Sequence, residues 1–132
     1  SLLNQNALVV ADGIIVPVAC DFLSLVGVRQ VVKTVKNVNS LLHHPVQIHG
    51  VLPTFYDARA RICRDAVEAL REHFGDRVLP PIRQATRLKE APAQGKSIFE
   101  FAPESTSAQD YEQVVDFLVN GPKAAMSTAA AV

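Results

Sequence analysis

Short apolar runs alternate with longer amphipathic segments along this chain, and this alternation constrains the fold more than any other feature. Residues 14–18, 46–52 and 78–82 have the β-branched, apolar character of buried strands. Residues 25–42 and 58–74 place apolar side chains at three- and four-residue steps, as amphipathic helices do. Strands that alternate with helices of this length predict an α/β fold, a parallel sheet with right-handed crossovers and helices on its faces.

The predicted sheet has about three or more strands, whereas parallel sheets usually have more and are covered on both faces. Residues 1–10 have the pattern of a helix end, and residues 107–119 that of a final helix. We therefore expect residues 1–122 to form part of a larger α/β domain and residues 123–132 to form a flexible tail. The exposed strand edge and helix faces of such a part predict a homodimer or larger assembly.

The balanced net charge gives no argument for a broad basic surface and disfavours one. The chain has 13 basic and 13 acidic residues, so a nucleic acid or an acidic partner has to be bound by a local patch. Cys20 and Cys63 lack metal-type spacing and are predicted to be buried thiols of a cytoplasmic protein. No apolar run reaches the roughly 18–20 residues of a membrane span, so no membrane association is expected.

Residues 83–101 directly follow the third predicted strand and are polar, basic at their start and interrupted by Pro92 and Gly95. This position predicts the working loop of an α/β domain. No catalytic or metal-binding residue is predicted. The four histidines have no cysteine or carboxylate partner at ligand spacing, and no serine or cysteine has an adjacent His–Asp arrangement.

Three segments carry a family resemblance, in the same order and with similar spacing: residues 6–18, 50–59 and 87–98. The most specific parts are Tyr-Asp-Ala-Arg at 56–59 and Arg-Leu-Lys-Glu-Ala-Pro at 87–92. Together they resemble the C-terminal half of the ParA/Soj-type partitioning ATPases of the ParA/MinD superfamily. The resemblance implies part of a doubly wound, P-loop NTPase-like sheet. For the intact protein, the resemblance implies that it binds ATP and Mg²⁺ and dimerises. It also implies non-specific DNA binding and nucleoid association in chromosome or plasmid segregation, with ATP hydrolysis stimulated by a ParB-type partner.

The phosphate-binding part of that family is missing from these residues. The six glycines are scattered at positions 13, 27, 50, 75, 95 and 121 and form no Gly-rich loop that ends in Gly-Lys-Ser/Thr. The acidic metal-side strand of the family would lie before Ser1. We therefore expect a truncated or split partitioning protein that is inactive and binds no ATP or Mg²⁺ alone. The alternative is a non-enzymatic α/β dimerisation or interaction module that has lost ATP binding.

The resemblance assigns two sets of residues to the base side of the nucleotide. Those after the second strand are Thr54, Phe55 and Asp57. Those at the end of the third strand are Ile82, Arg83 and Gln84, where the family usually has Ile-Pro-Arg. An ordinary turn in which Asp57 caps the next helix is the alternative for the first set.

Arg59 and Arg87 match arginines that bind DNA in Soj-like proteins. A guanidinium group binds phosphate oxygens bidentately and displaces counterions, which suits contacts that do not depend on sequence. The alternative is that these arginines are solvated or paired with an acid such as Glu90. Asp21 and Gly27 resemble the dimer-facing region of the family, although an acid there more often caps a helix.

Overall fold

The computed structural model describes residues 2–20, 24–41 and 46–122. Its elements, in chain order, are α1 (Leu2–Val10), β1 (Gly13–Ala19), α2 (Ser24–Leu41), β2 (Gln47–Thr54), α3 (Arg61–Phe74), α4 (Arg87–Ala93), α5 (Ile98–Phe101) and α6 (Thr106–Asn120). A short 3-10 turn at Gly75–Arg77 follows α3. The predicted tail, Asp21, His43 and His44 lie outside the described residues.

The two strands pair in parallel, with Gly13 opposite Gln47 and Ala19 opposite Thr54. The register shifts by one residue between Ile14 and Ile15. Parallel neighbours need a crossover connection, and α2 is that connection. The predicted α/β fold with a parallel sheet and flanking helices is confirmed.

The third predicted strand is an extended segment, residues 78–84, that forms isolated parallel bridges with Val51 of β2 and with Tyr56, two residues after the end of β2. The Leu79 N–H donates to the Val51 carbonyl over 2.8 Å, and the Ile82 N–H donates to the Pro53 carbonyl over 2.9 Å. Pro80 and Pro81 lie between these bonds and have no N–H group, which interrupts the ladder. The described part of the sheet therefore has two regular strands.

Strand β2 has helices on both faces. Val51 packs with Val18, Val28 of α2 and Leu70 of α3 on one side of the sheet. On the other side, a second cluster joins the sheet to α6; its buried members are Leu52, Leu79, Ile82, Val114 and Phe117. Apolar burial of this kind contributes about 25 cal/mol per Å² and is the main force that holds the helices on the sheet.

Strand β1 differs from the expectation of a strand buried on both faces. Val18 is buried and Ile14 and Val16 are half-buried, whereas Ile15 is 37% exposed and Pro17 is also exposed. Alternate side chains of a strand point to opposite faces. Only one face of β1 is therefore covered by the described residues.

Residues 83–101 are largely helical, which corrects the prediction of a loop. Helix α4 ends at Ala93, and Gly95 follows with a φ of +65°, in the left-handed region that glycine adopts readily. Helix α5 begins with a capping box, in which the Ser97 hydroxyl accepts from the Glu100 N–H and the Glu100 carboxylate accepts from the Ser97 N–H. The segment is thus a packed helical pair, and only its first residues lie at the end of the sheet.

Cys20 and Cys63 are both buried and form no disulfide bond, as predicted for buried thiols. The Cys63 thiol donates to the Cys20 carbonyl oxygen over 3.0 Å. Among the described residues, no helix combines the length and the apolar character needed to cross a bilayer.

Candidate functional site

Three chain segments end side by side at one edge of the sheet. The Cys20 N–H, just after β1, donates to the Thr54 carbonyl over 2.9 Å. Tyr56 and Arg83 then lie opposite each other in a parallel bridge. In open α/β sheets, ligands bind outside the carboxyl ends of the strands. We call residues 54–57 and 82–84 the carboxyl edge, and it contains all six residues that the sequence assigned to the base side of a nucleotide.

Phe55 has the most unusual conformation at the carboxyl edge. Its φ is +52°, in the left-handed region that residues other than glycine rarely adopt, and the residue is 55% exposed. Strained residues of this kind cluster at ligand sites, where the surrounding structure holds them. An exposed aromatic ring at the end of β2 offers a surface on which a flat heterocycle can stack.

Arg83 is held by helix α6 through Asp110. The Arg83 Nη2 lies 2.8 Å from Asp110 Oδ1, and the Arg83 backbone N–H donates to Asp110 Oδ2 over 3.0 Å. The Asp110 side chain is 5% exposed and the Arg83 side chain 47%. The hydrogen bonds to the carboxylate raise the pKa of Arg83 above its ordinary value. Arg83 therefore ties the carboxyl edge to α6.

Sequence reasoning missed Asp110, although a signal was present. Asp110 lies four and seven residues before Val114 and Phe117, which are buried on the inner face of α6. Residues at this spacing share one helix face. A single acid on an apolar stripe has to be paired, since an unpaired buried charge is very unfavourable.

The other residues of the carboxyl edge divide into buried and exposed groups. The Ile82 side chain is 2% exposed, and its N–H and carbonyl group bond to Pro53 and Tyr56. Gln84 is exposed and Thr54 is half-buried. Besides Arg83, which is bound to Asp110, Phe55 and Gln84 are therefore the exposed residues of the carboxyl edge.

Asp57 forms a turn with Arg59 and does not cap a helix. Its carboxylate accepts from the Arg59 backbone N–H over 2.9 Å and from Arg59 Nε over 3.2 Å. These bonds, chiefly the one to the side chain, lower the pKa of Asp57. Helix α3 starts only at Arg61, and its N-cap residue is Ala60. The interpretation of Asp57 as an N-cap is therefore wrong.

The two arginines assigned to DNA differ in their surroundings. The Arg59 guanidinium is 92% exposed but is bound to Asp57. Arg87, in the first turn of α4, is exposed and makes no ion pair with a described residue, Glu90 included. Of the two, Arg87 has the guanidinium that is available to a phosphate group without first breaking an ion pair.

The described residues do not fit the phosphates of a nucleotide or a metal ion. Gly95-Lys96-Ser97 resembles the end of a phosphate loop, but Glu90 stands where the first glycine of that pattern belongs. The Ser97 hydroxyl already accepts the Glu100 N–H at the start of α5. No group of three or more His, Cys, Asp or Glu side chains in the described ranges could hold a metal ion.

Comparisons with known proteins relate the chain to partitioning proteins. Residues 1–48 match a family model described as an AAA domain. The chain is 36% identical over 117 residues to the chromosome-partitioning ATPase Soj of Thermus thermophilus, covering 88% of this chain and 47% of that protein. It is 37% identical over 111 residues to the sporulation initiation inhibitor protein Soj of Bacillus subtilis, covering 83% and 44%. It is 33% identical over 112 residues to the chromosome partitioning protein ParA of Caulobacter vibrioides, covering 84% and 42%.

Solved structures show the same fold at lower identity. A Cyanothece McdA variant in complex with ATP superposes with a TM-score of 0.71 at 21% identity, covering 84% of this chain and 44% of that one. Cobyrinic acid a,c-diamide synthase of Mycobacterium smegmatis, with a bound ATP analogue and magnesium, gives 0.63 at 23%, covering 92% and 44%. The chain therefore spans about half the length, or less, of the relatives it matches.

Proposed function

Because this chain is homologous to part of the ParA/Soj-type chromosome-partitioning ATPases, we propose that it forms the base side of an ATP site in a partitioning protein. In this proposal the phosphate loop and the Mg²⁺ ligands come from sequence outside these 132 residues. The intact protein binds ATP, dimerises, binds DNA without sequence preference and acts with a ParB-type partner. It works in the cytoplasm, on the nucleoid, in chromosome or plasmid segregation.

The observation that carries the proposal is the carboxyl edge. Three chain segments end there together, and there Phe55 and Gln84 are exposed and Thr54 is half-buried. The Phe55 ring is suited to stack on a base, and the Gln84 amide can both donate and accept hydrogen bonds to a base edge. Asp57, Ile82 and Arg83 would then act mainly by holding these two chain segments in place.

The DNA part of the proposal assigns Arg87 the stronger role. Its guanidinium makes no ion pair with a described residue, whereas Arg59 has to exchange Asp57 for a phosphate. Replacement of Arg87 by alanine in the assembled protein should therefore reduce the salt dependence of DNA binding more than Arg59→Ala does. Equal salt slopes for the parent and Arg87→Ala would contradict this assignment.

A non-enzymatic interaction module is the second candidate, and helix α1 favours it. This helix has no buried residue and exposes Leu2, Leu3, Val9 and Val10. Large exposed apolar surfaces mark sites of protein association. ATP binding distinguishes the two candidates, since the module requires none.

The test joins this chain to the phosphate-binding half of a Soj-type relative and measures MgATP binding by isothermal titration calorimetry. We expect the fusion to bind MgATP and Phe55→Ala to weaken binding about tenfold, because stacking of a base on an aromatic side chain contributes about 1–3 kcal/mol. Phe99→Ala is the matched control, since Phe99 is also exposed but lies on α5. A folded fusion without ATP affinity, or equal losses in both variants, would refute the proposed base site.

A further inference from the structure

Helices α5 and α6 form an apolar groove on the outside of the molecule. The groove has a volume of about 420 Å³ and is lined by Phe99, Glu112, Val115, Asp116, Val119 and Asn120. The five residues from α6 are spaced i, i+3, i+4, i+7 and i+8, so they share one face of that helix. Phe99 is 42% exposed and Val115 51%. Helix α6 therefore has an exposed apolar stripe in addition to the buried one that contains Val114 and Phe117.

The groove lies in a part of the chain that carries charge of only one sign. Residues 98–120 contain no lysine or arginine, and their acidic residues are Glu100, Glu104, Asp110, Glu112 and Asp116. Asp110 is paired with Arg83. Glu112 and Asp116 line the groove and form no ion pair with a described residue. The α5–α6 groove thus combines an apolar floor with two carboxylates whose charge is not balanced locally.

One oxygen of Asp116 lacks the hydrogen bond that a buried carboxylate normally makes. Its Oδ1 accepts from the Asn120 amide over 2.7 Å, whereas its Oδ2 is buried and has no hydrogen-bond partner among the described residues. A buried polar atom without a partner is unfavourable and therefore needs an explanation. A lysine or arginine that enters the groove from another molecule would supply the missing donor as a charge-assisted hydrogen bond.

This combination disfavours several kinds of ligand. The phosphate groups of a lipid surface or a nucleic acid would be repelled by the local negative charge. An isologous contact with a second copy would place the same acidic residues opposite each other, because both copies would use the same patch. A lining at i, i+3, i+4 and i+7 of one helix instead fits a second helix that packs along it with apolar residues at the same spacing.

We propose that the α5–α6 groove binds an amphipathic helix of another protein, in which lysine or arginine residues flank the apolar stripe. Phe99, Val115 and Val119 contact the apolar stripe, and Asp116 Oδ2 accepts a hydrogen bond from one of the cations. Binding needs no nucleotide, no DNA and no second copy, because every residue that lines the groove lies in the described part of one chain. The site goes beyond the proposed ATP site and lies outside the carboxyl edge.

The test measures binding of the 132-residue chain to a fluorescent peptide by anisotropy, without nucleotide. The probe is a synthetic amphipathic helix of about 18 residues, or about five turns, with leucines at three- and four-residue steps and lysines beside them. Two comparison peptides keep the leucines and replace every lysine by glutamate or by glutamine. We expect the lysine peptide to bind most tightly and the glutamate peptide to show no binding.

Variants of the chain then test the lining residues. Phe99→Ala should weaken binding about tenfold, as removal of a central interface anchor does; Ile62→Ala is its control, since Ile62 is 51% exposed but lies on α3. Asp116→Ala should weaken binding of the lysine peptide about tenfold and of the glutamine peptide much less, because only lysine brings a charged donor. Glu104→Ala removes the same charge from an exposed residue outside the groove. A loss in either control as large as in its paired variant would overturn the site.

The fusion with the phosphate-binding half of a Soj-type relative separates this site from the proposed function. We expect the fusion to bind the lysine peptide equally with and without MgATP. Binding that requires MgATP would assign the groove to the nucleotide-dependent partner of the proposed function, and loss of peptide binding on fusion would show that the other half covers the groove. Either result, or tighter binding of the glutamate peptide, would overturn the proposal. A fusion that binds the peptide but not MgATP would refute the proposed ATP site alone.

Discussion

Asp110 is the single residue on which the geometry of the carboxyl edge depends most. Its buried carboxylate accepts both the backbone N–H and the guanidinium of Arg83. Asp110→Ala should lower the free energy of unfolding by about 1.5–3 kcal/mol, since hydrogen bonds to charged groups contribute about that much and the Arg83 N–H loses its acceptor. The exposure of Arg83 limits the purely ionic part, because water screens it. Urea unfolding monitored by circular dichroism gives the value.

Asp116→Ala is the control for that experiment. Asp116 lies on the same helix; its Oδ1 accepts from the exposed Asn120 amide over 2.7 Å, and its Oδ2 is buried without a hydrogen-bond partner among the described residues. Its removal should cost little, because an unpaired buried carboxylate oxygen already weakens the folded state. A loss in Asp116→Ala as large as that in Asp110→Ala would contradict the special role of Asp110.

Which residues reach the carboxyl edge was predictable from sequence, but what they do there was not. The positions of Phe55 and Arg83 follow from where strand-like runs end, and strand ends in a parallel sheet meet at one edge. The pairing of Arg83 with Asp110 joins residues 27 positions apart. Nothing in the sequence fixes such a pair until the packing of α6 on the sheet is known. Similarly, the left-handed conformation of Phe55 depends on the tertiary structure, since phenylalanine does not favour it.

At the scale of elements, hydrophobic periodicity predicted the long helices and failed for the short ones. Helices α3 and α6 have 14 and 15 residues, enough to show several turns of an apolar stripe. Helices α4 and α5 have seven and four residues, too few to show a repeated apolar stripe. Pro92 and Gly95 in this segment are residue types typical of loops, so the sequence pattern indicated a loop. Tertiary packing stabilises these short helices. Ile98 of α5 lies in one buried apolar cluster with Ala108 of α6, and Leu88 of α4 packs against that cluster.

The capping box of α5 predicts a pH dependence of stability. The Glu100 carboxylate accepts the Ser97 N–H, which holds the pKa of Glu100 below its ordinary value of 4.5. A group with a lowered pKa in the folded state stabilises the protein above its unfolded pKa, and this contribution disappears as the pH falls through the folded pKa. Glu100→Gln keeps the hydrogen-bonding pattern without the charge.

We therefore expect the parent chain to lose more stability than Glu100→Gln when the pH falls from about 5 to about 3. Thermal unfolding at a series of pH values measures the difference. The lowered pKa of Asp57 contributes equally to both proteins and cancels in the comparison. Superimposable pH profiles would contradict a stabilising role for the Glu100 carboxylate.

At the scale of the whole molecule, much apolar surface lies at the start of the chain. Helix α1 buries none of its residues, and the outer face of β1 exposes Ile15. The relatives are about twice as long as the aligned chain, and the described residues cover only one face of β1. The neutral net charge provides no repulsion that would keep such surfaces apart.

We expect this surface to cause self-association at micromolar concentration, as the sequence analysis predicted. Val10→Lys should shift the molecular mass measured by light scattering towards that of a monomer, because burying a lysine ammonium in an apolar contact is unfavourable. Val119→Lys is the matched control, since Val10 and Val119 are 83% and 75% exposed but lie on α1 and α6. If both variants reduce the mass equally, added charge is responsible and the α1 surface is not the interface. A monomeric parent chain would show that this apolar surface does not drive association.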